Sequence, residues 1–260
     1  MIRILCLVFG YAFGLIQSGY LFAKMHHVDI YSVGSGNPGS TNVLRSMGVR
    51  AGAAVFLMDV LKTMVPLLIV RIVYSAVTGG SLLGDAAAGA GAMGLSAIAF
   101  PMGNAAVAGG ALRSMLTFGA PGALYLYLLY TGIGVILGHN YPFYLHFRGG
   151  KGIASTAGLV LSTDLRIAAV CLVVFVVLVA ATRYVSLGSI AVLLIYMAGL
   201  IWFALHGGYG LWAVYRPEFC ALAVVVAALG IWRHRSNIHR LLTHTENKIG
   251  AKKPTENGAA

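Results

Sequence analysis

The sequence predicts an all-helical (all-α) integral membrane protein that crosses the bilayer several times. Of its 260 residues, 59% are hydrophobic and only 10% are charged, whereas soluble domains are about 25% charged. The mean hydropathy is +0.85, and several apolar stretches approach the roughly 20 residues that a helix needs to cross about 30 Å of hydrocarbon. These observations favour a single polytopic membrane domain over residues 1–260.

The first predicted helix covers residues 2–23. It resembles a secretory signal peptide, because Arg3 precedes an apolar core, but the run is long and no convincing cleavage site of small residues follows it. We therefore interpret it as an uncleaved membrane helix.

The remaining apolar runs predict six more helices. Residues 152–182 are apolar except for an interruption at 162–166, and one helix of that length would greatly exceed the thickness of the membrane. A short helix, a turn and a longer return helix fit better, so a helical hairpin is expected here. About seven membrane helices result, at 2–23, 51–74, 121–138, 152–162, 165–182, 187–205 and 217–232.

The basic residues predict how these helices are oriented. Alternation across the membrane places the loops 24–50, 139–151 and 183–186 and the tail 233–260 on one side. Cytoplasmic loops collect Lys and Arg, and that side holds 13 of the 18 Lys and Arg residues, all except Arg3, Arg71, Arg113, Arg166 and Arg216. We therefore expect the loops and the basic tail in the cytoplasm and the N-terminus outside it.

Residues 75–120 do not follow this pattern. They are rich in Gly and Ala and contain Asp85 and Pro101. Both ends fall outside the cytoplasm in the predicted topology, so the segment must hold two spans or none. A close-packed Gly/Ala-rich hairpin and an extracytoplasmic loop both remain open, and we treat the segment as an extracytoplasmic insertion.

The composition also disfavours some partners. The net charge of +11 is explained mainly by membrane topology and otherwise by anionic substrates, so no nucleic acid partner is expected. The three cysteines, Cys6, Cys171 and Cys220, stand singly in apolar runs without metal-ligand spacing. We expect neither a metal site nor a cofactor.

The loop 34–45, GSGNPGSTNVLR, is suited to holding a phosphate group. Its glycines let successive backbone N–H groups converge on an anion, and a polar residue at 40–42 can cap a following helix whose N-terminus favours phosphate. Arg45 can add a charge-assisted contact. A tight turn is the alternative, although a plain turn does not need so many residues without a bulky apolar one, and within this loop none precedes Val43. The loop lacks a Walker A ending, which disfavours a nucleoside triphosphatase.

The loop 138–152, GHNYPFYLHFRGGKG, combines two features. Its aromatic residues suit the membrane interface, where amphipathic rings settle. Arg148 and Lys151, by contrast, flank glycines that let the backbone approach an anion at the start of the next helix. This part of the loop therefore predicts a second anion site.

Two shorter segments reach the same face of the membrane. In RYVSLGS at 183–189, Ser186 either caps a helix or contacts substrate. In RHRSNIHR at 233–240, His234 and Asn237 would share one helical face, although a basic anchor for lipid headgroups is the alternative.

Asp59 and Lys62 lie three residues apart within an apolar helix. Ionisable groups at membrane depth are costly and usually functional. They either pair only with each other or turn towards the loop 34–45, where they would help to organise Arg45.

Together these segments resemble the bacterial acyl-phosphate:glycerol-3-phosphate acyltransferase family, often called PlsY. The resemblance covers nearly the whole chain except 75–120, and it includes DVLK at 59–62 and the ending with Glu246 and Lys248. Thr63 and His244 depart locally from the family pattern. The four long motifs that carry it are GSGNPGSTNVLR (34–45), GHNYPFYLHFRGGKG (138–152), RYVSLGS (183–189) and RHRSNIHRLL (233–242).

The resemblance implies a seven-helix enzyme of the bacterial inner membrane with its site at the cytoplasmic face. It implies transfer of a fatty acyl group from acyl phosphate to the 1-hydroxyl of glycerol 3-phosphate, giving lysophosphatidic acid and phosphate. It also implies that neither acyl-CoA nor acyl carrier protein is the donor.

Both of the implied substrates carry phosphate, which matches the two predicted anion sites. Acyl phosphate is assigned to the loop 34–45 and glycerol 3-phosphate to Arg148, Lys151, Ser186, His234 and Asn237, although the reverse arrangement stays open. The expected catalytic residues are His139, Lys151, Ser186, His234 and Asn237. The expected phosphate-binding residues are Ser35, Asn37, Thr41, Asn42, Arg45, Arg148, Gly149 and Gly150. The expected supporting residues are Asp59, Lys62, Asn140 and Ser189.

Catalysis is expected to come chiefly from positioning and charge stabilisation, because acyl phosphate is already activated. No Ser-His-Asp pattern is visible, and the His-x4-Asp motif of other glycerophosphate acyltransferases is absent, since His139 is followed by Tyr144 at that spacing. Either His139 or His234 can act as general base, or a substrate phosphate oxygen can take the proton.

Two other functions fit parts of the pattern. A membrane transporter or channel for a phosphorylated solute would use broken helices and ionisable groups near the midplane, as Asp59 and Lys62 allow, but the motifs cluster at one interface. A non-catalytic lipid-binding scaffold would use the basic tail and leaves the glycine-rich loops unexplained.

Overall fold

The computed structural model describes residues 1–78, 123–211 and 213–250, and within these ranges the protein is all-helical. This confirms the predicted fold class. The α-helices in these ranges are α1 (Ile2–Gly14), α2 (Ser18–Met25), α3 (Ser40–Met47), α4 (Val49–Thr78), α5 (Ala123–Asn140), α6 (Ile153–Thr163), α7 (Leu165–Thr182), α8 (Val185–Leu205), α9 (Arg216–Arg233) and α10 (Arg235–Leu242).

Five helical stretches of the described chain are long and apolar enough to cross a membrane. Helix α6, with 11 residues, and α5, which ends in the polar pair His139 and Asn140, are not among them. The count of seven spans therefore stays a prediction. The five stretches are Ile2–Met25, Val49–Val77, Leu165–Thr182, Val185–Leu205 and Ala213–Arg233.

Helix α5 lies at the centre of the bundle, because almost all of its side chains are buried. Helices α1, α4, α6 and α9 pack around it. Helix α1 approaches most closely: a Cβ atom at Gly10 would overlap the carbonyl group of Thr131, and one at Gly134 would overlap the carbonyl group of Leu7. Small residues at such positions let two membrane helices pack backbone to backbone.

The first span is interrupted, whereas the sequence predicted one continuous helix over 2–23. Helix α1 ends at Gly14, and α2 continues the span after Gln17. The buried amide of Gln17 donates to the carbonyl oxygens of Gly14, Gly138 and His139 at 3.2, 3.2 and 3.1 Å. The break therefore connects the first span by hydrogen bonds to the polar end of α5. The loop 138–152, here called the second loop, begins there.

The predicted hairpin between α6 and α7 is confirmed. The two helices meet at Asp164, whose backbone is extended. Its carboxylate accepts the N–H groups of Arg166 and Ile167 at 2.9 and 3.3 Å, which caps the N-terminus of α7. The hydroxyl of Tyr209 donates to the same carboxylate at 3.0 Å.

Helix α4 runs further than predicted and ends at Thr78. Residues 75–78, which were expected to begin an insertion, thus belong to this helix. The rest of the expected insertion, 79–120, lies outside the described residues. The helix predicted at 121–138 corresponds to α5 (Ala123–Asn140).

Candidate active site

The polar segments converge at one end of the bundle, where they line a cavity of about 360 Å³. Apolar side chains of α4 and α7, including Phe56 and Phe175, complete its wall. Most of the expected site residues line this cavity: Ser35, Asn37, Thr41, Asn42, Arg45, Asp59, His139, Lys151, Ser186, Ser189, His234 and Asn237.

Asn42 stabilises the conformation of the loop 34–45, here called the first loop. Its side-chain oxygen accepts the N–H of Ser35 at 2.7 Å, and its amide group donates to the carbonyls of Ile30 and Val33 at 3.4 and 3.0 Å. A Cβ atom at Gly34, where φ is +60°, would overlap this oxygen, so glycine is needed there. Both amide donors of Asn42 are thus occupied in shaping the loop, and its expected contact with phosphate stays a prediction.

The first loop leads into α3, whose first turn lines the cavity. Gly39 is the N-cap and no side chain caps the helix, whereas the sequence suggested a cap at 40–42. The first N–H groups of a helix lack intrahelical acceptors, so this uncapped end is suited to an anion. Arg45 also lines the cavity, and its Nη2 donates to the carbonyl oxygen of Asn247 at 3.1 Å.

The glycines of the second loop pack against the protein. The N–H groups of Gly149 and Gly150 donate to the carbonyls of Asn140 and His139 at 3.3 and 3.1 Å, and their own carbonyls accept from Arg233. A Cβ atom at Gly150 would overlap the ring of His139. Neither glycine belongs to the cavity wall, and their expected phosphate-binding role stays a prediction.

Arg148 and Asn140 also lie outside the cavity wall. The guanidinium of Arg148 stacks 4.9 Å above the ring of Tyr31, whose hydroxyl donates to the carbonyl of Arg148 at 2.7 Å. Arg148 therefore joins two loops, and its expected contact with phosphate stays a prediction. The amide of Asn140 is buried beside Gly152, without a hydrogen-bond partner in the described part of the chain.

Lys151 lies at the cavity and donates from Nζ to Oδ1 of Asn237 at 2.6 Å. Burial, assisted by the positive charge of Arg240, lowers the pKa of Lys151 to about 8. The ammonium is therefore still charged near neutral pH, and it holds its amide partner in a fixed position.

Glu246 connects three parts of the site. Its Oε1 accepts from the hydroxyl of Ser186 at 3.1 Å and from the amide of Asn237 at 2.8 Å, while its Oε2 accepts from Nε of Arg240 at 2.7 Å. The N-cap of α8 is Tyr184, so Ser186 does not cap that helix. Its hydroxyl is instead oriented by the carboxylate at the cavity wall.

His234 has a defined tautomer. Its Nδ1 lies 2.7 Å from the carbonyl oxygen of Gly230, and because a carbonyl only accepts, Nδ1 carries the proton. Burial lowers the pKa of the imidazole to about 4. The ring is therefore neutral near pH 7, and the lone pair of Nε2 stays available as an acceptor. His234 itself belongs to the cavity wall.

His139 has the opposite tautomer. The ammonium of Lys62 lies 2.8 Å from its Nδ1 and 2.7 Å from Oδ1 of Asp59, and it donates to the carbonyl of Ile16 at 2.7 Å. An ammonium only donates, so Nδ1 of His139 is the acceptor and Nε2 carries the proton. The neutral ring then has no free lone pair for a substrate proton, and Lys62, which lies behind His139, does not belong to the cavity wall.

Two charged residues of the cavity wall, Arg240 and Glu246, were not among the expected site residues. The only sign of Glu246 in the sequence, apart from the family resemblance, is that it is the one acidic residue between Phe219 and Thr255. Arg240 follows Asn237 by three residues, which places both on one helical face.

The charges of the cavity suit an anionic ligand. Arg45, Lys151 and Arg240 contribute positive charge, and the two carboxylates of the wall, Asp59 and Glu246, are each paired with a neighbouring cation at 2.7 Å. Arg45 and Lys151 have a carbonyl and an amide oxygen as partners. Within the described ranges, no carboxylate neutralises either of them directly, so both can bind phosphate.

Comparison with known protein families gives an independent result. The profile of a family described as glycerol-3-phosphate acyltransferase matches residues 4–244. A relative of that name from Thermoanaerobacter sp. (strain X514) is 32% identical over 255 residues, covering 97% of this chain and 98% of the relative. Another of that name, from Clostridioides difficile (strain 630), is 37% identical over 260 residues, with coverages of 96% and 97%.

Two crystal structures are similar to this chain over most of its length. Both are of PlsY (YgiH), described as an integral membrane glycerol 3-phosphate acyltransferase. The glycerol 3-phosphate form has a TM-score of 0.66 and 30% identity, covering 95% of this chain and 96% of that chain. The lysophosphatidic acid form has a TM-score of 0.64 and 29% identity, covering 95% of each chain.

Proposed function

Because this chain belongs to the glycerol-3-phosphate acyltransferase family, we propose that it transfers a fatty acyl group from acyl phosphate to the 1-hydroxyl of glycerol 3-phosphate. The products are lysophosphatidic acid and inorganic phosphate, as a step of phospholipid biosynthesis. The whole chain acts as one acyltransferase domain in the bacterial cytoplasmic membrane. Its N-terminus lies outside, its basic tail and its cavity face the cytoplasm, and the expected extracytoplasmic insertion is shortened to residues 79–120 because 75–78 belong to α4.

The observation that carries this proposal is the pair of cations, Arg45 and Lys151, in one cavity. They come from α3 and from the loop before α6, and neither has a carboxylate partner in the described residues. A reaction between two phosphate-bearing substrates needs two such positions. The apolar wall formed by α4 and α7 is suited to the acyl chain.

The two phosphate groups are assigned by the surroundings of these cations. Acyl phosphate binds at the uncapped N-terminus of α3 with Ser35, Asn37 and Arg45, because a helix N-terminus favours a phosphate group. Glycerol 3-phosphate binds at Lys151, with Ser186, Asn237 and His234 directed to its hydroxyl groups. Thr41, in the first turn of α3, lies with the acyl phosphate group.

The acyl transfer itself needs no covalent intermediate with the protein. The 1-hydroxyl oxygen attacks the acyl carbonyl carbon, a C–O ester bond forms, and the bond between that carbon and the phosphate oxygen breaks. Phosphate leaves with the electron pair of the broken bond. Arg45 and the N-terminus of α3 stabilise the charge that grows on the leaving phosphate, and positioning supplies the remaining acceleration.

The proton of the hydroxyl passes to the substrate phosphate, and His234 orients the hydroxyl. A base is most effective when its pKa lies near the working pH. The pKa of His234 is about 4, whereas a phosphate monoester has a second pKa of about 6. Nε2 of His234 therefore accepts a hydrogen bond from the hydroxyl, and the phosphate is the better final proton acceptor. His139, whose Nδ1 is occupied by Lys62, supports the site and does not take this proton.

Transport of a phosphorylated solute is the less favoured alternative. It was suggested by the ionisable pair Asp59 and Lys62, but their charges are paired with each other and Lys62 also binds His139. These groups are thus engaged in fixed contacts and need no passing solute to explain them.

The proposal is tested with purified protein in detergent or nanodiscs, supplied with palmitoyl phosphate and glycerol 3-phosphate. We expect equal amounts of phosphate and lysophosphatidic acid, and no lysophosphatidic acid when palmitoyl-CoA replaces the donor. Arg45→Ala should reduce turnover on the order of 100-fold, as the loss of one charge-stabilising donor does. Arg235→Ala, which removes an exposed arginine stacked on Trp232, is the matched control. Equal transfer from palmitoyl-CoA would disprove the assignment of acyl phosphate as the donor. Counterflow of glycerol 3-phosphate without acyl transfer would favour transport.

A further inference from the structure

The segment Thr245–Ile249, here called the C-terminal strap, follows α10 and lies along the cavity. Glu246 and Ile249 line the cavity directly. The strap passes between α3 and the turn that joins α7 to α8, so it touches both sides of the site. Its Glu246 orients Ser186 and Asn237, but no group of the strap contacts the reacting atoms in the acyl-transfer chemistry described above.

Three arginines from three different elements bind three of the five residues of the strap. Each contact uses a separate guanidinium, so the strap is held at three points. The pairs are Arg240 Nε with Glu246 Oε2 at 2.7 Å, Arg45 Nη2 with the Asn247 carbonyl at 3.1 Å, and Arg183 Nε with the Ile249 carbonyl at 3.1 Å.

The contact between Arg183 and Ile249 is reciprocal. The N–H of Ile249 donates to the carbonyl of Arg183 at 2.9 Å, while the guanidinium of Arg183 donates back to the carbonyl of Ile249. The backbone of Arg183 is left-handed, with φ of +63°, at the C-terminal end of α7. Beside it, Nζ of Lys248 lies 5.4 Å above the ring of Tyr184.

Arg183 does not line the cavity, and its guanidinium donates to the strap at the carbonyl of Ile249, so the strap is the contact through which this side chain can act on the site. On the basis of the function proposed above, we propose that Arg183 is a positioning residue that fastens the C-terminal strap, so that the strap directs Arg45 and limits the access of water to bound acyl phosphate. Asn247 is the link, because its carbonyl accepts from Arg45.

Water is the competing nucleophile for an activated acyl group. Its oxygen attacks the acyl carbonyl carbon, the bond from that carbon to the phosphate oxygen breaks, and a fatty acid and phosphate result. A site that excludes water suppresses this side reaction. A loosened strap should therefore release phosphate without forming an equal amount of lysophosphatidic acid.

The first test measures phosphate and lysophosphatidic acid together in the full-length protein. Arg183→Ala removes the guanidinium, and Ile249→Pro removes the N–H donor in a segment outside the helices. In both variants we expect the ratio of phosphate to lysophosphatidic acid to rise from about one to two or more, and the KM for palmitoyl phosphate to rise several-fold. Arg183→Lys should restore part of the coupling, and Arg235→Ala should keep the wild-type ratio. A ratio of one and an unchanged KM in both variants would overturn the proposal.

The second test needs no substrate. Trypsin cleaves after Lys248, and the N–H of that peptide bond belongs to Ile249 and donates to the backbone carbonyl of Arg183. The guanidinium of Arg183, which Arg183→Ala removes, holds the other side of Ile249 through its carbonyl oxygen. Mass spectrometry should show cleavage at this bond at least several-fold faster in Arg183→Ala than in the wild type or Arg235→Ala. Equal cleavage rates would mean that Arg183 does not fasten the strap. If the wild type forms no lysophosphatidic acid, the proposed function fails and the claim about water falls with it, while the cleavage rates still decide the role of Arg183 in holding the strap.

Discussion

The ammonium group of Lys62 lies 2.8 Å from Nδ1 of His139 inside the helical bundle. This contact determines the tautomer of His139, and the same ammonium also pairs with Oδ1 of Asp59 at 2.7 Å. It also separates the two histidines of the cavity wall: His139 has its lone pair occupied, whereas His234 donates from Nδ1 to Gly230 and keeps Nε2 as an acceptor. The role of each histidine thus follows from its buried partner.

Loss of Lys62 should destabilise the protein strongly. Lys62→Met leaves the buried carboxylate of Asp59 unpaired, and breaking a buried ion pair in this way costs about 3–5 kcal/mol. We expect a clear fall in the Tm measured by intrinsic fluorescence in detergent. The exposed Lys24→Met is the matched control, and the double variant Asp59→Asn, Lys62→Met should recover part of the loss. A Tm equal to that of the wild type would contradict the interpretation of this pair.

The affinity for glycerol 3-phosphate should fall at alkaline pH. Burial lowers the pKa of Lys151 to about 8, so this side chain is charged below that pH and neutral above it. Since only the charged form attracts phosphate, kcat/KM for glycerol 3-phosphate should decrease up to about tenfold per pH unit above about pH 8. In Lys151→Arg, whose guanidinium stays charged throughout, the decrease should disappear, even if the absolute rate is lower. An unchanged alkaline limb in this variant would assign the titration to another group.

Substitutions of His234 should distinguish a hydrogen-bond acceptor from a general base. Glutamine has a carbonyl oxygen that can replace Nε2 as an acceptor, but it cannot take up a proton. If His234 only orients the hydroxyl, His234→Gln should retain about tenfold more activity than His234→Ala. If His234 takes the proton, both variants should lose on the order of 10²–10⁴-fold, as removal of a general base does. Initial rates at saturating palmitoyl phosphate measure the difference. Equal, severe losses in both variants would instead support proton transfer to His234.

The second loop should tolerate a change at Arg148 better than one at Gly150. Arg148 is exposed and stacks on Tyr31, so Arg148→Ala should leave the KM for glycerol 3-phosphate within about twofold. Gly150→Ala introduces a Cβ atom that overlaps the ring of His139, and overpacking of this kind costs about 1–3 kcal/mol. Thermal unfolding and steady-state kinetics should therefore separate the two variants. A large rise in KM for Arg148→Ala would return this arginine to the phosphate site.

Several features of the site could be predicted from local sequence patterns. The length of the apolar runs predicted the all-helical fold and the hairpin at 152–182, because hydrophobicity over about 20 residues decides whether a helix can span the bilayer. Counting those runs placed the polar loops on one face. Glycine, arginine and histidine in those loops indicated anion binding, and the cavity brings Arg45, Lys151 and His234 together.

Other features depend on contacts between distant parts of the chain, which no local pattern contains. Gln17 breaks the first helix because it reaches the carbonyl of Gly138, 121 residues away. The glycines at 149 and 150 are explained by the ring and carbonyl groups of α5. Glu246 becomes a central residue only when α8 and the C-terminal segment bring Ser186 within 3.1 Å of it.

The sequence by itself therefore determined that the chain is an all-helical membrane protein, and it predicted phosphate binding in a few polar loops. Both conclusions depend on properties of short segments: their hydrophobicity, their charge and their glycine content. The tertiary structure decided which loop residues reach the cavity and which histidine keeps a free lone pair. A hydrogen bond requires its two groups to lie within about 3 Å of each other, and only the packing of the helices brings Lys62 to His139 and His234 to the cavity wall.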